Sequence, residues 1–371
     1  SCSFMCVGGI ETLRIFSVFA FLFIFTFQIQ AQKIDDIPIK TERLNDKALF
    51  IKTGETDAMT NVLAVASKEG LIVMDTGSLP VITQKVKKAI EKEFGRKDYA
   101  YLIYTHADFA HNIGGYLFTD AICIGHDNCT PLLKRMYDGY YNPRDPERLK
   151  NFMKDREARL KTMEKGSYKE KRSWERVYNM VNSFKTIQSS DFKLILPDIT
   201  FNDRLTLYFE DMTIHMIHNV DAYSDNDIMM YIPELRLLNI GDVFNKDRLP
   251  WLNSRTDIPK WLEIFKEFTD KEDEIDYVIG GHNGLMTMAD VRENLAYIKD
   301  LYEGIKTAQA EGLSLEETKE KFAFEKFNHL SHVEHKFKMI RRLPGDKESK
   351  VVEVNRHERI IEDIWKRLKK K

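Results

Sequence analysis

Apolar positions in the first third of the chain come in short, β-branched bursts bounded by Gly, Asp or Lys. Residues 48–53 (ALFIKT), 61–66 (NVLAVA) and 70–74 (GLIVM) each fit a strand and are too short for an ordinary helix. The period then changes. Residues 80–94 carry apolar side chains at helical spacing, the run 101–104 (YLIY) reads as a buried strand, and 121–125 (AICIG) reads as another. Consecutive strands, a helix and further strands predict β-hairpins feeding an α/β layer.

Residues 131–185 break that rhythm. Lys, Arg and Glu of mixed sign recur at i,i+4 spacing with aromatics between them, as on helices with a solvated face. Lying between two strand-rich halves, this segment is predicted to be an inserted helical lid. Its Tyr137, Tyr140, Tyr141, Trp174 and Tyr178 either line a substrate groove or form the insert's own packing face. Strands resume at 192–196, 204–209 and 212–218, with LPDITF (196–201) as a connector, and later at 237–240 and 277–279. Amphipathic helices follow over 288–308 and 314–321, the second opening with a capping box at Ser314 and Glu317. A basic helix over 355–371 ends the chain, its lysines complementing the helix dipole. No short tandem repeat is present.

With 371 residues, 43% of them hydrophobic and 31% charged, the chain is a globular one able to bury a sizeable core. A formal net charge of −2 gives no general attraction to nucleic acid or to an anionic membrane, so a small-molecule substrate is the expected partner. Residues 15–27 (IFSVFAFLFIFTF) are uncharged, follow Arg14, and have the length of a secretory core segment rather than a bilayer span. With Ala31 as the cleavage point, residues 1–31 are expected to be a signal peptide, and the mature protein periplasmic or extracellular. Cys2 and Cys6 fall in that segment. Cys123 and Cys129 remain; they either pair in an oxidising compartment or are two buried thiols, and without a CxxC a cysteine metal site has no support.

The chemistry concentrates just past the 101–104 strand. Within six residues the chain releases His106, Asp108 and His111, and Gly114-Gly115 then allows a sharp turn. Donors crowded at a strand end can be aimed at one point while the strand holds them still. A second set follows two later strands: Asp242 after 237–240, and His282 after Tyr277-Val278-Ile279-Gly280-Gly281. Other histidines read as structural. His126 is a strand-end residue bonded to backbone, His215 and His218 lie on a strand before the second cluster, and His329, His332 and His335 lack a carboxylate partner.

The segment Thr105-His106-Ala107-Asp108-Phe109-Ala110-His111-Asn112-Ile113-Gly114-Gly115 resembles the T-H-x-H-x-D-H-x-x-G-G motif of the metallo-β-lactamase superfamily. GLIVMDTG (70–77) resembles that family's strand and turn ahead of the motif, and residues 221–242 resemble its A-H-T-x-G-D, Y-x-P-E and G-D run. The resemblance implies an α/β, four-layered αββα sandwich over 32–290, with 131–185 inserted and 291–371 as a C-terminal helical extension. It further implies His106, Asp108, His111, Asp242 and His282 as metal ligands, with Asp75 and Asp227 bracing them and Asp108 and Tyr223 at the reacting centre. The chain departs from the motif at Asp108, at Ala110 in place of an aspartate, and at Tyr223 in place of a histidine. Ala110 cannot ligate a metal, and a neutral phenol is a poor zinc donor. The resemblance therefore implies a metal-dependent hydrolase of an ester, thioester, amide or phosphoester holding one zinc ion rather than two. The altered ligands leave two alternatives open: a harder ion such as Mn or Fe, or a metal-free pseudohydrolase acting as a binding module.

Overall fold

The structure, a computed structural model, describes residues 37–219, 221–252, 256–327, 330, 333, 336–341 and 350–369. The expected signal peptide and the histidines at 329, 332 and 335 lie outside the described residues. Residues Ile39–Lys371 form one compact unit.

Its first half builds a seven-stranded sheet in sequence order. Strands β1 (Ile39–Arg43), β2 (Ala48–Thr53), β3 (Asn61–Ser67) and β4 (Gly70–Met74) pair antiparallel, as their short connections require. Helix α1 (Pro80–Phe94) starts on Pro80 and stops at Gly95, whose φ of 66° suits a residue without Cβ. It carries the chain across to β5 (Tyr99–Ile103), which lies parallel to β4. After the short helix α2 (Phe109–Asn112), β6 (Ile122–His126) and β7 (Ile199–Phe201) extend the parallel edge. Strand β7 falls within the expected connector, and 192–196 forms no strand. The Phe192 ring packs on Tyr116 and Tyr137 instead, and the Ile195 carbonyl accepts from Tyr104.

Between β6 and β7 stand α3 (Cys129–Tyr141), α4 (Pro146–Leu160) and α5 (Tyr168–Ile187), the last opened by a Ser167–Glu170 capping box. Their aromatics make contacts of two kinds. Trp174 and Tyr178 are buried and stack at 4.7 Å within the insert, whereas Tyr140 meets Phe109 of α2 at 5.8 Å.

The second sheet runs β12-β11-β10-β9-β8. Strands β8 (Arg204–Tyr208), β9 (Thr213–His218), β10 (Ile228–Ile232) and β11 (Leu237–Gly241) form a meander. Helix α6 (Ile258–Thr269) then crosses to β12 (Tyr277–Gly280), parallel to β11. One core lies between the sheets, where Ile72, Met74, Ile103 and Ile124 meet Met216, Met230, Ile232 and Ile279. The second unites the outer face of the second sheet with helices. Leu238 and Ile240 share it with Trp261 and Phe265 of α6, Ile298 of α7 (Met288–Ala310) and Ile364 of α9 (Arg356–Leu368). Helix α1 covers the outer face of the first sheet, against β1, β2 and β3.

The layers are thus helix, sheet, sheet, helix. The boundary expected at 290 does not appear: α7 and α9 belong to the outer helical layer because their apolar faces complete that core. Helix α8 (Leu315–Lys321) carries the expected Ser314–Glu317 capping box. A separate ribbon, β13 (Lys336–Arg341) with β14 (Lys350–Asn355), precedes α9. Among the described residues no helix is long and apolar enough to cross a membrane.

The architecture brings two parallel strand pairs, β4–β5 and β11–β12, to one place. Asn61 ties the sheets there, its N–H donating to the Gly281 carbonyl at 2.7 Å and its Nδ2 to that of Gly280 at 2.8 Å. The Ile228 N–H donates to the Thr105 carbonyl at 2.7 Å. Carboxyl ends of parallel strands are where open α/β sheets expose ligand-binding loops.

Candidate metal centre

Asp75, directly after β4 and in the left-handed region at φ 58°, organises the site. Its buried carboxylate accepts the Thr105 N–H at 2.9 Å, the Thr105 hydroxyl at 2.8 Å and Nδ1–H of His111 at 2.8 Å. Because the Thr105 proton goes to Asp75, its oxygen is left to accept Nδ1–H of His106, 3.1 Å away. One carboxylate therefore fixes two imidazoles, one directly and one through a hydroxyl, with Nε2 of each turned inward.

His106 Nε2 is buried and has no hydrogen-bond partner among the described residues, and the same holds for Oδ1 of Asp242. Asp242 follows Gly241, whose φ of 52° favours glycine. Its Oδ1 lies 3.8 Å from His111 Nε2, and its Oδ2 lies 3.2 Å from His282 Nε2. His282 sets Nδ1 against the Met59 carbonyl at 2.9 Å, which leaves its Nε2 facing Asp242. The ring centroids of His106 and His111 are 4.3 Å apart, and those of His111 and His282 are 5.4 Å apart. Gly281 is required at this point: a Cβ there would sit 2.0 Å from Asp242 Oδ1 and 3.1 Å from His111 Cε1.

Acceptors facing acceptors in a buried space are unfavourable unless a cation or a proton lies among them. His106, His111 and Asp242 offer ligand atoms that all lie within 4.8 Å of one another. Two imidazoles and a carboxylate, with a third imidazole on the far carboxylate oxygen, fit a divalent ion of zinc type.

Electrostatics point the same way. Burial disfavours charge on His111, but the Asp75 and Asp242 carboxylates outweigh it and push its pKa up to about 9. Burial and the neighbouring His111 push His106 down. Burial opposes ionisation of Asp242, yet the His282 and His111 rings hold its carboxyl well below the ordinary range. A proton on His111 takes the place a metal ion would otherwise fill.

No family model and no curated protein matches the chain. Solved structures do. A stereoselective inverting sec-alkylsulfatase, Pisa1 from Pseudomonas sp., superposes with a TM-score of 0.56 at 14% identity, over 88% of this chain and 50% of its own. A metallo-β-lactamase from Pontibacter korlensis gives a TM-score of 0.47 at 12% identity, over 70% of this chain and 98% of its own. The chain shares the fold of the alkylsulfatase, a layered helix–sheet–sheet–helix sandwich. The chain spans about half the length of the alkylsulfatase it matches.

Within this fold, the other residues named from sequence take different places. Asp108 stands outside the converging group, because it caps α2: its Oδ1 accepts the Ala110 N–H at 2.9 Å. Tyr223 lays its ring edge-on against His106, with centroids 5.1 Å apart. Burial and the carboxylates of Asp242 and Asp108 push its phenol far above the usual range. Asp227 accepts from the N–H and hydroxyl of Ser224 and so braces the loop bearing Tyr223. Burial raises its carboxyl to about 7 against those two bonds. Ala110 takes part through its backbone alone, its N–H donating to Asp108 and its carbonyl accepting from the Thr60 hydroxyl. His126 and His218 stack on each other at 3.9 Å and bond to the carbonyls of Asn202 and Asp227, remote from the ligand group.

Sequence reading missed several residues that hold the site. Asn226 accepts the Ala107 N–H at 2.6 Å and Asn112 donates to the His106 carbonyl at 2.7 Å, fixing the histidine loop from two sides. Thr105 and Asn112 lie inside the motif and were open to inference from it. The Met59 carbonyl has no residue-type signature at all.

Proposed function

We propose that this chain is a metal-dependent hydrolase of a small-molecule ester, thioester, amide or phosphoester, using one zinc ion held by His106, His111 and Asp242 with His282 beside them. The observation that supports it is the meeting of the His106, His111 and His282 rings with the Asp242 carboxylate at one place, where buried His106 Nε2 and Asp242 Oδ1 have no hydrogen-bond partner among the described residues. When bound, zinc lowers the pKa of a coordinated water to near ~7 and polarises a substrate oxygen.

The protein's own residues do the rest. Asp75 holds the His106 and His111 rings so that neither can turn its Nε2 away. Tyr223 keeps its proton and serves as a hydrogen-bond donor to substrate beside His106, rather than as a ligand. Asp108 acts through its charge, since it is close enough to bias both His106 and Tyr223. The apolar run at 15–27 supports export of the mature protein.

A panel of activated ester, thioester, amide, phosphoester and sulfate-ester substrates tests this reading. Turnover should vanish with a chelator, return with zinc and be lost in His106→Ala. Folded protein that binds no zinc and turns over none of the panel supports the binding-module reading, which Ala110 and Tyr223 favour because each replaces a donor of the family pattern.

A further inference from the structure

The loop between β2 and β3 contains no candidate ligand, but it carries the acceptor that orients one. Met59's carbonyl takes the His282 Nδ1–H, and Thr60 pairs with His282 through a backbone bridge. A backbone carbonyl is only as well placed as the loop that bears it. This loop reverses tightly: the N–H and hydroxyl of Thr53 both donate to the Thr60 carbonyl, at 3.3 and 2.6 Å. Gly54 at φ 70° leaves no space for a side chain, since a Cβ there would meet Met59 Cγ at 2.4 Å.

Thr56 satisfies the Ala58 and Met59 N–H groups from within the loop, but other donors of the loop are satisfied from far along the chain. Glu175, on α5 of the helical insert, accepts the Glu55 N–H at 2.7 Å, the Thr56 N–H at 3.1 Å and the Thr56 hydroxyl. One turn earlier on the same helix face, Arg172 pairs with Asp57, Nη2 to Oδ2 at 2.6 Å. Glu175 is only 3% exposed, and all three of these donors belong to the loop. Burying a carboxylate is unfavourable unless such bonds compensate it, and folding α5 alone gives no reason to bear that cost.

We propose that Glu175 is a positioning residue for the metal centre. Through its hydrogen bonds the helical insert holds the 54–59 loop in the shape that presents the Met59 carbonyl to His282, and His282 thereby turns Nε2 to Asp242. This inference rests on the reading of His106, His111 and Asp242 as metal ligands. It gives the insert a role in building the site, whether or not it also covers it.

Glu175→Gln tests it, because an amide has one acceptor oxygen and turns an N–H₂ toward the loop's own donors. Thr56→Val removes the hydroxyl donor from the other side and serves if the first variant does not fold. Val181→Ala, which removes buried volume from the same helix without altering the loop's hydrogen bonds, controls for lost stability. Two readouts are used: zinc affinity by competition with a chromophoric chelator, and the His282 ring tautomer in metal-free protein by long-range proton–nitrogen NMR correlations. Glu175→Gln and Thr56→Val should weaken zinc binding about 10- to 100-fold and replace the single Nδ1–H tautomer of His282 with a mixture. Val181→Ala should change neither, although it lowers thermal stability. Parent-like affinity and tautomer in both loop variants, or equal changes in Val181→Ala, would overturn the proposal. If the parent binds no zinc, the ligand reading fails, and the tautomer comparison still decides the role of Glu175.

Discussion

Gly281→Ala is the sharpest steric probe of the metal centre. The added Cβ would lie 2.0 Å from Asp242 Oδ1, where real Cβ contacts do not fall below 3.0 Å, so the carboxylate or the β12 end must move by about 1 Å. A functional constellation tolerates displacements of only about 0.5 Å, and His111 Cε1, 3.1 Å from the same Cβ, blocks one direction of relief. Overpacking of this kind costs about 1–3 kcal/mol, a loss of several degrees in melting temperature. Zinc affinity should suffer far more, by over about 100-fold, because a ligand is displaced and not merely its hydrogen-bonded support. Gly284→Ala is the matched control, since a Cβ there meets nothing within 4 Å. Chelator-competition titrations and thermal melts of both variants make the comparison. Zinc binding by Gly281→Ala with the parent's affinity would refute the placement of Asp242 as a ligand.

Other outcomes follow from the same geometry. Asp75→Asn should weaken zinc binding about 10- to 100-fold, because an amide cannot accept from Thr105 and His111 together; the same titration checks it. Ala110→Asp combined with Tyr223→His should raise zinc content from one ion per chain toward two, read by elemental analysis. Burial opposes charge on Asp57, but Arg248 and Arg172 outweigh it and hold its pKa at about 2, below the ordinary 3.8. The charged form therefore favours the fold, and this stabilisation is complete above pH 3.8 and lost as pH falls through 2. It amounts to about 2 kcal/mol, so the gap in urea stability between the parent and Asp57→Asn should narrow from neutral pH to pH near 2.

Much of this site was legible because strand ends announce themselves. The run at 101–104 followed at once by His106 and His111, and the glycines before Asp242 and His282, mark places where a buried strand stops and a polar side chain must point into a cleft. At Asp108 spacing alone does not separate a ligand from a helix cap, and the Ala110 N–H claims one of its two oxygens. The segment 192–196 has the composition of a strand, but its ring contacts and the pairing of Asp198 with Cys123 move the strand to Ile199–Phe201. A domain end was expected at 290 because helical periodicity does not say which sheet face a helix covers. Glu175 and the Met59 carbonyl were illegible for a plainer reason: more than a hundred residues separate them, and only the closed fold joins them through one loop.

The claim beneath all of this is that His106, His111 and Asp242 bind one divalent ion. Zinc content measured on protein purified without added metal, beside Asp242→Asn prepared identically, tests it most directly. The account predicts close to one zinc ion per parent chain and almost none in the variant. A folded parent that carries no metal and takes up none from zinc-containing buffer would contradict it.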